Sequence, residues 1–132
     1  MDKIVILPYR KKANHKEYLI NLEQIEKWDQ HPDHCSISFD FDHSEEIDTF
    51  LKNKMDNLLN VETKKNNFIN LGICTESKNS SATYYLYCIN ISKLKYTFNN
   101  KQYQFIRKKE LIENIDSQLI VAYTRMDFLN VN

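Results

Sequence analysis

The chain has a single glycine, Gly72, among 132 residues. Loops that cradle phosphate with successive backbone N–H groups use several glycines, for close approach and for positive φ. Their scarcity excludes a P-loop and a dinucleotide fingerprint, and it leaves no nucleophile elbow around any serine. Long apolar runs are missing as well. No stretch approaches the roughly 20 residues that cross a bilayer, and Ile4 to Pro8 is too short for a signal peptide. Net charge is absent, with 18 basic residues balancing 18 acidic ones. No global field therefore draws the chain to nucleic acid or to an anionic membrane. Cysteine is sparse and odd in number. Cys35, Cys74 and Cys88 fall in separate strand-like runs, which reads as reduced, buried thiols of a cytoplasmic protein and not as a disulfide framework.

What remains is ample for a core. Hydrophobic residues make up 42% of the chain, with 8 Tyr and 7 Phe among them, and the length fits one domain spanning 1–132. Ile4 to Leu7 is a β-branched run ended by Pro8 and reads as a strand, with Tyr18-Leu19-Ile20 as its return. Leu22 to Trp28 reads as a short helical turn. From Cys35 to Phe41 apolar and polar residues alternate, with Cys35, Ile37, Phe39 and Phe41 on one face, as in a half-buried strand. Ile47, Phe50, Leu51, Met55, Leu58 and Leu59 then recur at spacings of three and four, drawing one helical stripe. His43 or Ser44 is the expected N-cap. Asn60, which tolerates the left-handed conformation, is the expected stop.

Asn67 to Thr75 reads as a strand. Thr83 to Ile91 is apolar on both faces, as in a central strand. Lys95–Phe98 and Gln102–Ile106 match in alternation around Asn99-Asn100-Lys101, which predicts a hairpin. Lys108 to Ile115 reads as a short helix. Asp116 or Ser117 caps a last helix with the stripe Leu119, Ala122, Tyr123 and Met126. Strands, one long helix, more strands and a terminal helix give an α/β or α+β sandwich.

This order, with several local strings, resembles the Nudix superfamily over most of the chain. Ile4-Val5-Ile6-Leu7-Pro8-Tyr9-Arg10 with Tyr18-Leu19-Ile20 is similar to the opening strands. Trp28 and the strand after it are similar to the approach to the family's helix. Phe68-Ile69-Asn70-Leu71-Gly72, Ala82 to Ile91 and Phe105-Ile106-Arg107 resemble the strands that follow. The resemblance implies an α/β/α sandwich with a mixed β-sheet, one long helix after the third strand and a C-terminal helix.

The same resemblance implies a box of carboxylates on the long helix that holds Mg²⁺ or Mn²⁺ against a diphosphate. With Asn60 on the final glycine, Glu45 falls on the first glutamate of that box and Met55 on an apolar position. Phe39 replaces the first glycine. Asn53 and Lys54 replace the arginine and its following glutamate, and Asn57-Leu58 replace the paired glutamates. The resemblance thus implies the fold and argues against the usual catalysis.

Other clusters are weaker. Asp42, Glu45 and Glu46 are metal-type ligands at the helix start, with Glu45 and Glu46 the only catalytic candidates. Acidic residues are also ordinary company for a helix N-terminus. His31, His34 and Cys35 match no zinc spacing. Arg10 offers a fork for a phosphate or carboxylate, and Trp28 and Tyr85 offer faces for stacking. These three are the candidate ligand-binding residues.

The leading expectation is a Nudix-like protein without metal-dependent pyrophosphohydrolase activity, needing no cofactor and binding a nucleotide-like small molecule or a protein. Two alternatives are a divergent hydrolase using Mg²⁺ or Mn²⁺ on a relocated acidic cluster, and a structural homodimer joined through sheet edges or the Tyr96–Phe105 hairpin. Nucleic acid and membrane partners are not indicated.

Overall fold

The computed structural model describes residues 1–22, 35–75, 82–113 and 116–131. The expectations placed on Trp28, His31 and His34, and on the turn from Leu22 to Trp28 beyond its first residue, lie outside these residues. The strands are β1 (Asp2–Lys12), β2 (His15–Asn21), β3 (Ile37–Phe41), β4 (Phe68–Thr75), β5 (Thr83–Asn90) and β6 (Tyr103–Arg107). The helices are α1 (Ile47–Leu59), α2 (Lys108–Ile112) and α3 (Ser117–Phe128), with a 3₁₀ turn at Lys65–Asn67.

One mixed sheet runs in the order β4-β5-β1-β2-β6, and β3 also pairs with β1. All neighbours are antiparallel except β1 and β5, which are parallel. Alternation along β1 divides its side chains between two cores. Ile4 and Ile6 face α1 through Leu51, Met55 and Leu59, while Val5, Leu7 and Tyr9 face α3 through Leu119, Ala122 and Met126. The arrangement is an α/β/α sandwich, as the resemblance implied. Full burial of a side chain such as Leu51 or Leu59 contributes about 2 kcal/mol.

β1 is longer than its sequence suggested, because Pro8 does not end it. On one edge β1 pairs with β3 through Ile6 and with β2 from Tyr9 onward. The Tyr9 carbonyl points to the opposite edge, where it accepts the Ile91 N–H at 2.8 Å. Pro8 therefore faces the fork between β3 and β2, where a ladder donor is least needed.

Two local readings are corrected. Neither His43 nor Ser44 caps α1. The residue before the helix is Glu46, in extended conformation and with no side-chain cap bond. His43 instead takes a left-handed φ of 64° and turns its ring to Asp2, and the Ser44 N–H is taken by Asp42. The stop holds: Asn60 has φ 52°. The segment Lys95–Phe98 forms no strand. Its backbone bonds the end of α1 instead: Thr97 N–H donates to Leu59 O at 2.9 Å, and Asn60 Nδ2 donates to Thr97 O at 3.0 Å. Its aromatic side chains still meet β6, with Tyr96 and Phe98 stacked at 5.9 Å and Phe98 edge-on to Phe105 at 5.7 Å. No described helix is long and apolar enough to cross a membrane.

Candidate functional site

Parallel strands that end side by side leave a crevice beyond their carboxyl ends, where no side chain continues the sheet. The parallel ladder of β1 and β5 ends this way, at Tyr9 opposite Asn90. A cleft of about 540 Å³ lies there, within the range that takes small ligands. Its walls come from the 3₁₀ turn and the start of β4 (Asn66, Asn67, Ile69), the turn after β5 (Asn90, Ser92, Lys93, Leu94) and the end of β1 (Tyr9, Lys11).

Local hydrogen bonds fix this turn. Asn90 Oδ1 accepts from the Ser92 backbone at 2.9 Å and from its hydroxyl at 2.6 Å, an Asx turn that redirects the chain. Ser92 Oγ in turn accepts the Lys11 N–H at 2.8 Å, tying the turn to β1. Burial raises the Tyr9 phenol to about 12, so it stays neutral in the cleft wall. Among the described lining residues there is no carboxylate. Amides, a hydroxyl and two ammonium groups can hydrogen-bond a polar heterocycle and attract an anionic group. They provide no general base.

The described residues singled out from sequence are not gathered into one place. Arg10 is engaged within the protein. Its Nε donates to Glu17 Oε1 at 2.7 Å, its Nη1 to the Tyr96 hydroxyl at 2.8 Å, and its Cζ stands 3.6 Å from the Phe105 ring centre. Tyr85 sits toward the other end of β1, opposite Ile4, with Phe41 and His43 edge-on to its ring. Asp42, Glu45 and Glu46 lie exposed in the turn before α1. Hydrogen bonds from Ser44 hold the Asp42 carboxyl below its ordinary value. Among the described residues, no three His, Cys, Asp or Glu side chains converge as a metal site.

α1 carries Asn53, Lys54, Asn57 and Leu58 along its second half. Lys54 Nζ lies 5.3 Å from the ring centres of both Phe39 and Phe50, and Leu58 packs into the core on this face. An ammonium, an alkyl group and neutral amides do not fit Mg²⁺ or Mn²⁺, which take several hard oxygen ligands.

The cleft residues Asn66, Asn67, Asn90, Ser92 and Lys93 were not legible as a site beforehand. Asparagine is abundant throughout the chain and carries no positional signal. The informative feature is the parallel pairing of β1 with β5, which strand patterning does not reveal.

No family model matches the sequence, and no curated protein matches it. Solved structures do match the fold. The C-terminal domain of mouse MUTYH, from a complex with human PCNA, aligns with a TM-score of 0.71 at 10% identity over 97% of this chain and 88% of that one. The NUDIX domain of Shewanella oneidensis NrtR, complexed with ADP ribose, aligns with a TM-score of 0.65 at 8% identity over 98% and 88%. The C. elegans Ap4A hydrolase aligns with a TM-score of 0.60 at 14% identity over 99% and 98%. The chain has a Nudix-like fold.

Proposed function

We propose that this protein is a binding module for a nucleotide-like ligand, held in the cleft at the ends of β1 and β5, without metal-dependent hydrolysis of a diphosphate. The observation that carries this reading is the cleft's composition. Asn66 and Asn67 offer donors and acceptors to a base or ribose, Ile69 and Leu94 give it apolar contact, and Lys11 and Lys93 face its phosphate. The absence of hydrolysis is supported by Lys54 and Leu58 on the α1 face. Two of the similar folds belong to a domain complexed with ADP ribose and to an Ap4A hydrolase, which makes nucleotides the first ligands to try.

Titration calorimetry with AMP, ADP and ADP-ribose tests the cleft. Binding is expected at micromolar affinity, weakened about tenfold by Lys93→Glu. No heat with any of the three at about 1 mM, an affinity below about 4 kcal/mol, would remove the proposal. Release of phosphate or nucleotide with Mg²⁺ or Mn²⁺, lost on Glu45→Gln, would replace it with the divergent-hydrolase alternative.

A protein partner is the second reading. Phe128 is 84% exposed and Leu129 more than half exposed, lining a groove with Leu71, Thr124 and Arg125. The MUTYH domain with the similar fold was solved in complex with a protein. Light scattering and pull-down with Phe128→Asp test this surface. Unchanged behaviour of the variant would leave it without a partner role.

A further inference from the structure

The balanced overall charge conceals a local imbalance. The cleft at the ends of β1 and β5 shares Lys11 with a hollow of about 210 Å³ over the β1–β2 turn. That hollow shares Asn14, His15 and Lys16 with a third, of about 510 Å³, which reaches the β6–α2 corner. The three follow one another across one end of the sheet, in the strand order β5, β1, β2, β6.

Cations mark every step of this path. Lys93 and Lys11 line the cleft, Lys12 and Lys16 the middle hollow, and Arg107, Lys108 and Lys109 the corner. Seven of the chain's 18 basic residues thus lie on the track, while Asp127 is the one carboxylate among its described lining residues. Among the described residues Lys12, Lys108 and Lys109 form no ion pair. Arg107 Nη2 lies 2.8 and 3.0 Å from the two His15 ring nitrogens, which holds the guanidinium at the corner. Lys16 Nζ is anchored on Val131 O at 2.5 Å. From β5 to β6 the track crosses three strand spacings, about 14 Å. A mononucleotide seated in the cleft reaches only the first two of these cations, Lys93 and Lys11.

We propose that this track binds single-stranded nucleic acid, with one unpaired base in the cleft and the phosphodiester backbone running over the β1–β2 turn to Arg107 and Lys109. The inference rests on the nucleotide reading of the cleft and extends it to a polymer. A succession of cations lining three joined hollows matches a chain of phosphates. The amides of Asn66 and Asn67 require a free base edge, which a duplex does not present beyond its ends.

Fluorescence anisotropy with a labelled, mixed-sequence strand of about eight nucleotides, beside calorimetry with AMP, tests the track. The strand is expected to bind at least about tenfold more tightly than AMP. For four neutralised phosphates, log affinity should fall against log salt with a slope near −3. The double variant Lys12→Glu, Lys109→Glu should weaken the strand about tenfold or more and leave AMP binding within about twofold. A strand that binds no better than AMP, a flat salt dependence, or a duplex that binds as tightly as the strand would overturn the track while leaving the cleft standing. Displacement of the strand by polyglutamate at equal charge would also overturn it. Loss of both AMP and strand binding would remove the cleft reading and the track together.

Discussion

Asp116 Oδ2 accepts the backbone N–H of Ser36 at 2.8 Å, joining the start of α3 to the segment entering β3, 80 residues earlier. The same oxygen accepts the Cys35 N–H at 3.0 Å, and Oδ1 accepts the Leu119 N–H at 3.0 Å as a helix cap. The side chain is 1% exposed, so water cannot replace these bonds. Asp116→Ala leaves three buried donors without that acceptor and also loses a cap, for an expected cost of about 3 kcal/mol. Asp116→Asn keeps one acceptor oxygen but turns an NH₂ toward an N–H, and should lose about half as much. Urea denaturation at a common m-value measures both. A loss below about 0.5 kcal/mol for the alanine variant would show that the clasp contributes nothing to stability.

Gly72 carries a second prediction. Its φ is +87°, in a register shift between Asn70 and Ile73 on β4, where Asn70 Oδ1 accepts the Gly72 N–H at 2.7 Å. Arg125 Nη1 fills the bulge by donating to Leu71 O at 2.9 Å and Ile73 O at 2.8 Å. A Cβ on residue 72 would lie 3.0 Å from that nitrogen. Gly72→Ala therefore adds backbone strain and displaces the guanidinium. The expected cost is about 2 kcal/mol, read as a lowered thermal midpoint. An unchanged midpoint would mean that β4 relaxes to a regular strand.

These two features show which parts of the fold were open to reading. The stripe from Phe50 to Leu59, the two-faced apolar run of β5 and the Asp116 cap follow from local periodicity and chemistry, and all three stand in the structure. The rest depends mostly on contacts distant in sequence. Pro8 stays inside β1 because of a fork created by β2 and β3. Lys95–Phe98 is not a strand because the end of α1 takes its backbone. Arg10 reads as a candidate clamp because residue type is visible in a sequence, while the presence of Glu17, Tyr96 and Phe105 around it is not. The basic track is invisible in the sequence for the same reason: Lys12, Lys93 and Arg107 are far apart along the chain, and the total charge averages them away.

The engaged state of Arg10 predicts a variant that separates stability from binding. A lysine at position 10 cannot satisfy Glu17 and Tyr96 together while lying flat on Phe105. Arg10→Lys should lower stability by about 1–2 kcal/mol and leave AMP affinity in the cleft within about twofold. Calorimetry and denaturation on one preparation give both quantities. A tenfold loss of affinity with stability intact would place Arg10 in the ligand site after all.

Asp56 supplies a pH dependence whose sign can be worked out. Its carboxylate accepts from Lys52 Nζ at 2.8 Å and from the Thr63 N–H and hydroxyl, each at 2.7 Å, stapling the chain after α1 back onto the helix. Burial pushes its pKa upward, but the bonds from Lys52 and Thr63 outweigh this and hold it below the ordinary 3.8. A carboxyl depressed in the folded state contributes stability that is complete above its unfolded value and is lost as pH falls through its folded value. Glu17, depressed from 4.5 because its bonds to Arg10 outweigh burial, acts in the same direction. Stability should therefore decline as pH drops from about 5 toward 2. Asp56→Asn should cost about 1–2 kcal/mol at neutral pH and make that decline shallower, because one of the depressed carboxyls no longer titrates. Urea midpoints for both proteins across this range decide it. Parallel curves would show that Asp56 takes up its proton equally in the folded and unfolded chains, and that the bonds to Lys52 and Thr63 do not favour its charge.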